Sequence, residues 1–103
     1  MIHVIVADDH HLVRQGIIKL LEDAGDIEVV GEASNGQEAV ELVERLQPEV
    51  VVMDLAMPRL DGSLATERIL ALDLATEIVI LSMHSDVVMA QQLLRQGARG
   101  YVL

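Results

Sequence analysis

Asp8 and Asp9 follow the apolar run Ile2-His3-Val4-Ile5-Val6-Ala7, and Asp54 follows a second run, Val50-Val51-Val52-Met53. Both runs are short, rich in β-branched residues and closed at once by acid, which is how buried parallel strands read. Each run therefore sets its carboxylates just beyond the carboxyl end of a strand. In open α/β sheets ligands collect outside those ends, near the reversal of strand order, so adjacent strands would bring Asp8, Asp9 and Asp54 into one crevice. Three like charges at that range resist joint ionisation unless a cation joins them. A hard divalent ion meets the need, Mg²⁺ above all, because it takes a few carboxylates, a carbonyl and several waters. Beside such an ion a carboxylate can attack phosphorus and become an acyl phosphate, which makes Asp54 the candidate nucleophile. The expected ligands are Asp9, Asp54 and the backbone carbonyl of Ala56, with Asp8 orienting water from behind them. Ser82 closes a further apolar run, Ile78-Val79-Ile80-Leu81, and would bring to the same crevice a hydroxyl able to bond a phosphoryl oxygen.

Strand-like runs at about 2–7, 27–33, 50–54, 77–82 and 100–103 alternate with helical patterns at about 11–24, 37–46, 62–71 and 87–96. The first helix carries Val13, Ile17, Leu20 and Leu21 at helical spacing. The second carries Ala39, Val40 and Val43, with Glu38, Glu41 and Glu44 turned outward. The fourth directs Val88, Ala90, Leu93 and Leu94 to the core and stops at Gly97. Connections marked by Gly25-Asp26, Ser34-Asn35-Gly36 and Gln47-Pro48 are short, and short connections in a parallel sheet force right-handed crossovers. The expectation is a βαβαβαβαβ chain forming one α/β domain over residues 1–103.

Composition narrows the function. A net charge of −10 lacks the basic footprint of nucleic-acid binding or of an anionic membrane surface. Without cysteine there is neither a disulfide nor a thiolate metal site, which is compatible with a cytoplasmic protein. No run is long and apolar enough to span a bilayer, and the chain enters a strand-like run at once, so a soluble protein is expected. One aromatic residue, Tyr101, leaves no platform for stacking bases.

The order and spacing of Asp8-Asp9, Met53-Asp54-Leu55-Ala56-Met57-Pro58, Asp61-Gly62, Leu81-Ser82-Met83-His84 and Gly97-Ala98-Arg99-Gly100-Tyr101-Val102-Leu103 resemble the receiver domain of bacterial two-component response regulators. The Asp8-Asp9-His10-His11 start and the Gly100-Tyr101-Val102-Leu103 end look like the NarL or LuxR branch, whose members carry a separate DNA-binding domain. The resemblance implies a flavodoxin-like (CheY-like) doubly wound sheet of strand order 2-1-3-4-5. It implies Asp54 as phosphoacceptor, a sensor histidine kinase as donor and Mg²⁺ as the required ion. It also implies Ser82 and Tyr101 as a switch pair that reshapes the surface of helix four and strand five, with Ala56 and His84 tuning the lifetime of the acyl phosphate. DNA would be reached only through an output domain outside this chain, and a homodimer is a further expectation. The chain stops at Leu103, where the family continues with a lysine and a fifth helix. The reading is thus of a receiver lacking both, with an apolar sheet face left for a further segment or a partner.

Rival readings have specific requirements. A Mg²⁺-dependent phosphohydrolase would carry a second acid two residues after its nucleophile, and Ala56 occupies that position. A nucleotide module would want a glycine- or hydroxyl-rich turn after strand one, where Asp8-Asp9-His10-His11 stands. A receiver-fold dimerisation module that works without phosphorylation is the main alternative. His10 and His11 read as surface residues, because two neighbours at a helix start point in different directions.

Overall fold

A computed structural model of the chain describes residues 1–55, 57, 61–72, 74–81 and 87–102, with the backbone alone at 63, 87, 89, 90, 101 and 102. The elements follow in the order β1 (Ile2–Ala7), α1 (His11–Asp23), β2 (Ile27–Ala33), α2 (Gly36–Leu46), β3 (Val50–Asp54), α3 (Gly62–Ala71), β4 (Glu77–Leu81), α4 (Val87–Gln96) and β5 (Gly100–Val102). All pairings are parallel and the strand order is β2-β1-β3-β4-β5. The parallel sheet is the one expected from the alternating pattern, and its strand order is the doubly wound one that the resemblance implies. The reversal falls between β1 and β3, so the two strands that end in acids are direct neighbours.

The larger core lies on the face covered by α2, α3 and α4. It joins Ile5, Val51, Met53, Ile78 and Ile80 of the sheet to Val43, Ala65, Ile69 and Leu93 of the helices. The other face holds a smaller cluster, Val4, Val6 and Val52, against which Ile17, Ile18 and Leu21 of α1 pack. The helical spacing of α1 suggested a fuller apolar face than the fold uses. Ile17 and Leu21 pack, whereas Val13 and Leu20 are 51% and 75% exposed. Val88 of α4, also expected to turn inward, is 70% exposed, while Leu93 is buried. Periodicity tells which residues share a helix face, but the element opposite decides how much of that face is covered.

Helix ends follow local chemistry. Asn35 caps α2 by accepting from the Glu38 amide at 2.9 Å, and the Glu38 carboxylate reaches back to accept from the Asn35 side-chain amide at 3.1 Å and from the Ser34 amide, one residue before the cap, at 3.0 Å. Gln47 ends α2 in the left-handed region (φ 45°), and Pro48 prevents the helix from continuing. Asp61 caps α3 by accepting from the Leu64 amide at 2.9 Å. One irregularity interrupts the sheet. Val4 pairs with Val29 but Ile5 pairs with Gly31, leaving Val30 as an extra residue, a β-bulge, in the edge strand β2.

Candidate functional site

The two acid-bearing strands run in register. Ala7 pairs with Met53, so Asp8 follows at the level of Asp54, the last residue of β3. Asp8 stays tied to the sheet through its amide, which donates to the Ala33 carbonyl at 3.0 Å. Its side chain is only 5% exposed, and its Oδ1 accepts from the His10 amide at 2.8 Å. That bond folds the loop back so that Asp9 and His10 sit over the strand ends. The His10 ring Nδ1 lies 3.0 Å from Asp9 Oδ1 and 3.3 Å from Asp8 Oδ1. One ligand atom from each of Asp8, Asp9, His10 and Asp54 lies within 4.8 Å of the others.

Asp54 is half-buried and pairs with Leu81 of β4, while the next amide, of Leu55, donates to the Leu81 carbonyl at 3.2 Å. The start of α3 rests on the same backbone. The Gly62 amide donates to the Leu55 carbonyl at 2.8 Å. A Cβ at residue 62 would fall 1.9 Å from the Asp54 carbonyl oxygen and 2.6 Å from Leu55 Cα, so only glycine fits there.

The structure thus brings together the three acids singled out by their spacing. Ala56, Ser82 and His84 lie outside the described residues. Tyr101 is described in its backbone, which pairs with Ile80 across β4 and β5. His10 was expected to be a surface residue only. Its ring is largely exposed, yet it joins the acid group, and its position directly after the acid pair was the available signal. His11 does point elsewhere, its Nδ1 lying 3.1 Å from Arg14 Nη2.

Sequence reading passed over Arg14. Its Nη1 donates to the Asp8 carbonyl at 2.7 Å and its Nε to Glu32 at 2.9 Å. A cation at the start of a helix stands against the helix dipole, and that conflict was the trace it left in the sequence.

Three hard carboxylates converging on one point suit a small divalent cation with oxygen preference. The His10 imidazole adds a nitrogen donor that such an ion does not require.

Residues 4–103 match the family described as response regulator receiver domain. The chain is similar to the probable transcriptional regulatory protein NarL of Mycobacterium tuberculosis, 36% identical over 102 residues, covering 99% of this chain and 47% of that protein. It spans about half the length of such curated relatives. Among solved structures, a LuxR-family two-component response regulator from Aurantimonas sp. SI85-9A1 superposes with a TM-score of 0.90 at 37% identity, covering 98% of this chain and 72% of that one. RcsB from Salmonella enterica serovar Typhimurium, solved bound to the promoter rprA in the presence of the phosphomimetic BeF₃⁻, superposes with a TM-score of 0.88 at 30% identity, covering 100% of this chain and 86% of that one.

Proposed function

The chain belongs to the response regulator receiver family, with NarL/LuxR-type regulators as its close relatives, and from that premise we propose that Asp54 accepts a phosphoryl group from a sensor histidine kinase. The observation that carries this reading is the convergence of Asp8, Asp9 and Asp54 at the carboxyl ends of β1 and β3, with donor atoms within 4.8 Å. In the transfer, an Asp54 carboxylate oxygen forms a bond to phosphorus while the P–N bond of a phosphohistidine breaks, and the electron pair leaves with the donor's imidazole. The register of β3 with β4 and the seat of α3 on the Asp54 carbonyl hold this carboxylate at the crevice.

Asp9, Asp54 and the Ala56 carbonyl are the proposed ligands of Mg²⁺, with Asp8 supporting them through water. When bound, Mg²⁺ would neutralise the carboxylates and the incoming phosphoryl oxygens. Ser82, directly after β4, and Tyr101, on the neighbouring strand β5, form the proposed switch pair, and Ala56 and His84 the pair that tunes acyl-phosphate lifetime. Phosphorylation would then shift a pre-existing equilibrium of the α4–β5 surface. The proposed reader of that surface is a DNA-binding output domain, a reading supported by the name of a relative, a probable transcriptional regulatory protein, and the proposed setting is the cytoplasm.

Intact mass after incubation with Mg²⁺ and acetyl phosphate tests the reading. A gain of one phosphoryl group, lost in Asp54→Asn and on removal of Mg²⁺ with EDTA, is expected. No gain in the folded protein, or a gain that persists in Asp54→Asn, would overturn it.

A further inference from the structure

Arg14 stands at the start of α1, yet it reaches back to the acid loop, and its side chain is only 13% exposed. All sides of its planar fork are engaged. Nη1 donates to the Asp8 carbonyl at 2.7 Å, Nε donates to Glu32 Oε1 at 2.9 Å, and Nη2 lies 3.1 Å from His11 Nδ1. Gln15 Nε2 donates to the same Glu32 oxygen at 2.7 Å. The bond to Asp8 therefore fixes backbone, not carboxylate. It ties the loop that carries Asp8 and Asp9 to a strand two positions away in the sheet from Asp54.

The bulge in β2 is what makes this tie available. Residues paired across parallel strands share a face. Beyond the extra residue Val30, Val6 pairs with Glu32. Val6 belongs to the cluster beneath α1, so Glu32 stands on the α1 face, beside Arg14. In a regular strand Glu32 would pair with Ala7, whose side chain lies in the core on the opposite face. One inserted residue thus turns a carboxylate from the core to the surface that needs it.

On the premise that the acids hold a cation as read above, we propose that Arg14, anchored by Glu32, is a positioning residue that fixes the Asp8–Asp9 loop in the geometry that binds Mg²⁺. An arginine bound to the backbone of the acid loop has two opposed effects on such an ion. As a charge it repels the cation and weakens binding. As a clamp it holds the ligands in place and strengthens binding, and a guanidinium fork with three partners cannot be replaced by the single ammonium of lysine. The sign of the effect of substitution separates the two.

The test is calorimetric titration of the full chain with Mg²⁺ at fixed ionic strength. It compares the parent, Arg14→Met and Arg14→Lys, each well below its own melting temperature. About tenfold weaker binding is expected for Arg14→Met, as for other residues that orient metal ligands from outside the coordination shell. Arg14→Lys, which keeps the charge and loses the fork, is expected to bind weakly too, and it decides the matter alone if Arg14→Met does not fold. Binding by Arg14→Met as tight as the parent or tighter, or parental affinity in Arg14→Lys, would overturn the proposal. A parent that does not bind Mg²⁺ would instead remove the premise itself. Without Mg²⁺, the His10 amide, which donates to Asp8, is expected to exchange faster in both variants while the Val51 amide is unchanged. Parental exchange at His10 in both would overturn the clamp as well.

Discussion

Glu49 and His3 close the end of the sheet opposite the acid group. The His3 amide donates to Glu49 Oε2 at 3.0 Å, and its ring Nδ1 lies 3.1 Å from Oε1, with Glu28 3.3 Å from the other ring nitrogen. The bond from the His3 backbone, then that from its ring, holds the Glu49 carboxyl below the ordinary value of 4.5, despite a small opposing effect of burial. The folded protein therefore keeps this carboxylate charged to lower pH than the unfolded chain does. Its stabilisation is complete above the ordinary glutamate value and is lost as pH falls through the lowered one. Glu49→Gln is accordingly expected to melt below the parent at pH 7, with the gap closing as pH drops below the glutamate range. A gap that does not change with pH would show that the hydrogen bonds to His3 do not depend on the charge. Thermal melts between neutral pH and pH 3 measure it.

At the level of elements, two glycines make opposite demands. Gly62 seats α3 against the Asp54 carbonyl, and the atoms a Cβ would meet are backbone atoms, which cannot rotate away. Gly62→Ala is expected to cost about 1–3 kcal/mol or more of stability and to slow phosphoryl uptake in whatever remains folded. Gly16, within α1, has nothing within 4 Å of its missing Cβ. Gly16→Ala is expected to stabilise the helix by about 0.5–1 kcal/mol without touching the site. Denaturant melts of both variants, with phosphorylation followed by intact mass, check the pair. The elements themselves were legible because their signals are local: β-branched runs for the strands, and helical spacing with caps and stops for the helices. Among the described residues, the five strands and four helices fall within a residue or so of the spans read from the sequence. The uncovered positions of Val13, Leu20 and Val88 were not legible, since coverage depends on distant elements. The bulge left only the doublet Val29-Val30 before Gly31, a break in alternation too slight to announce that Glu32 changes face. Arg14 was missed for the same reason, its partner lying 18 residues away across that break.

The whole molecule carries a formal charge of −10, and part of that excess is concentrated at one end of the sheet, where Asp8, Asp9 and Asp54 meet. A cation that binds there only in the folded state stabilises the entire domain. At a hundredfold excess over its Kd the gain is about 2.7 kcal/mol. Mg²⁺ is therefore expected to raise the melting temperature well beyond the rise produced by KCl at equal ionic strength, and EDTA to reverse it. Equal effects of the two salts would mean general screening rather than a site.

Strand order also sets a sequence of events for a chain emerging from the ribosome. β1 lies between β2 and β3, so its first neighbour is complete at Ala33, but its second only at Asp54. Until then Asp8 and Asp9 stand without the third acid, and the nascent segment can pair β1 with β2 without meeting the full repulsion. That electrostatic penalty falls on the docking of β3, once the chain has been made through Asp54 and a counter-ion from the surrounding fluid can enter with the strand.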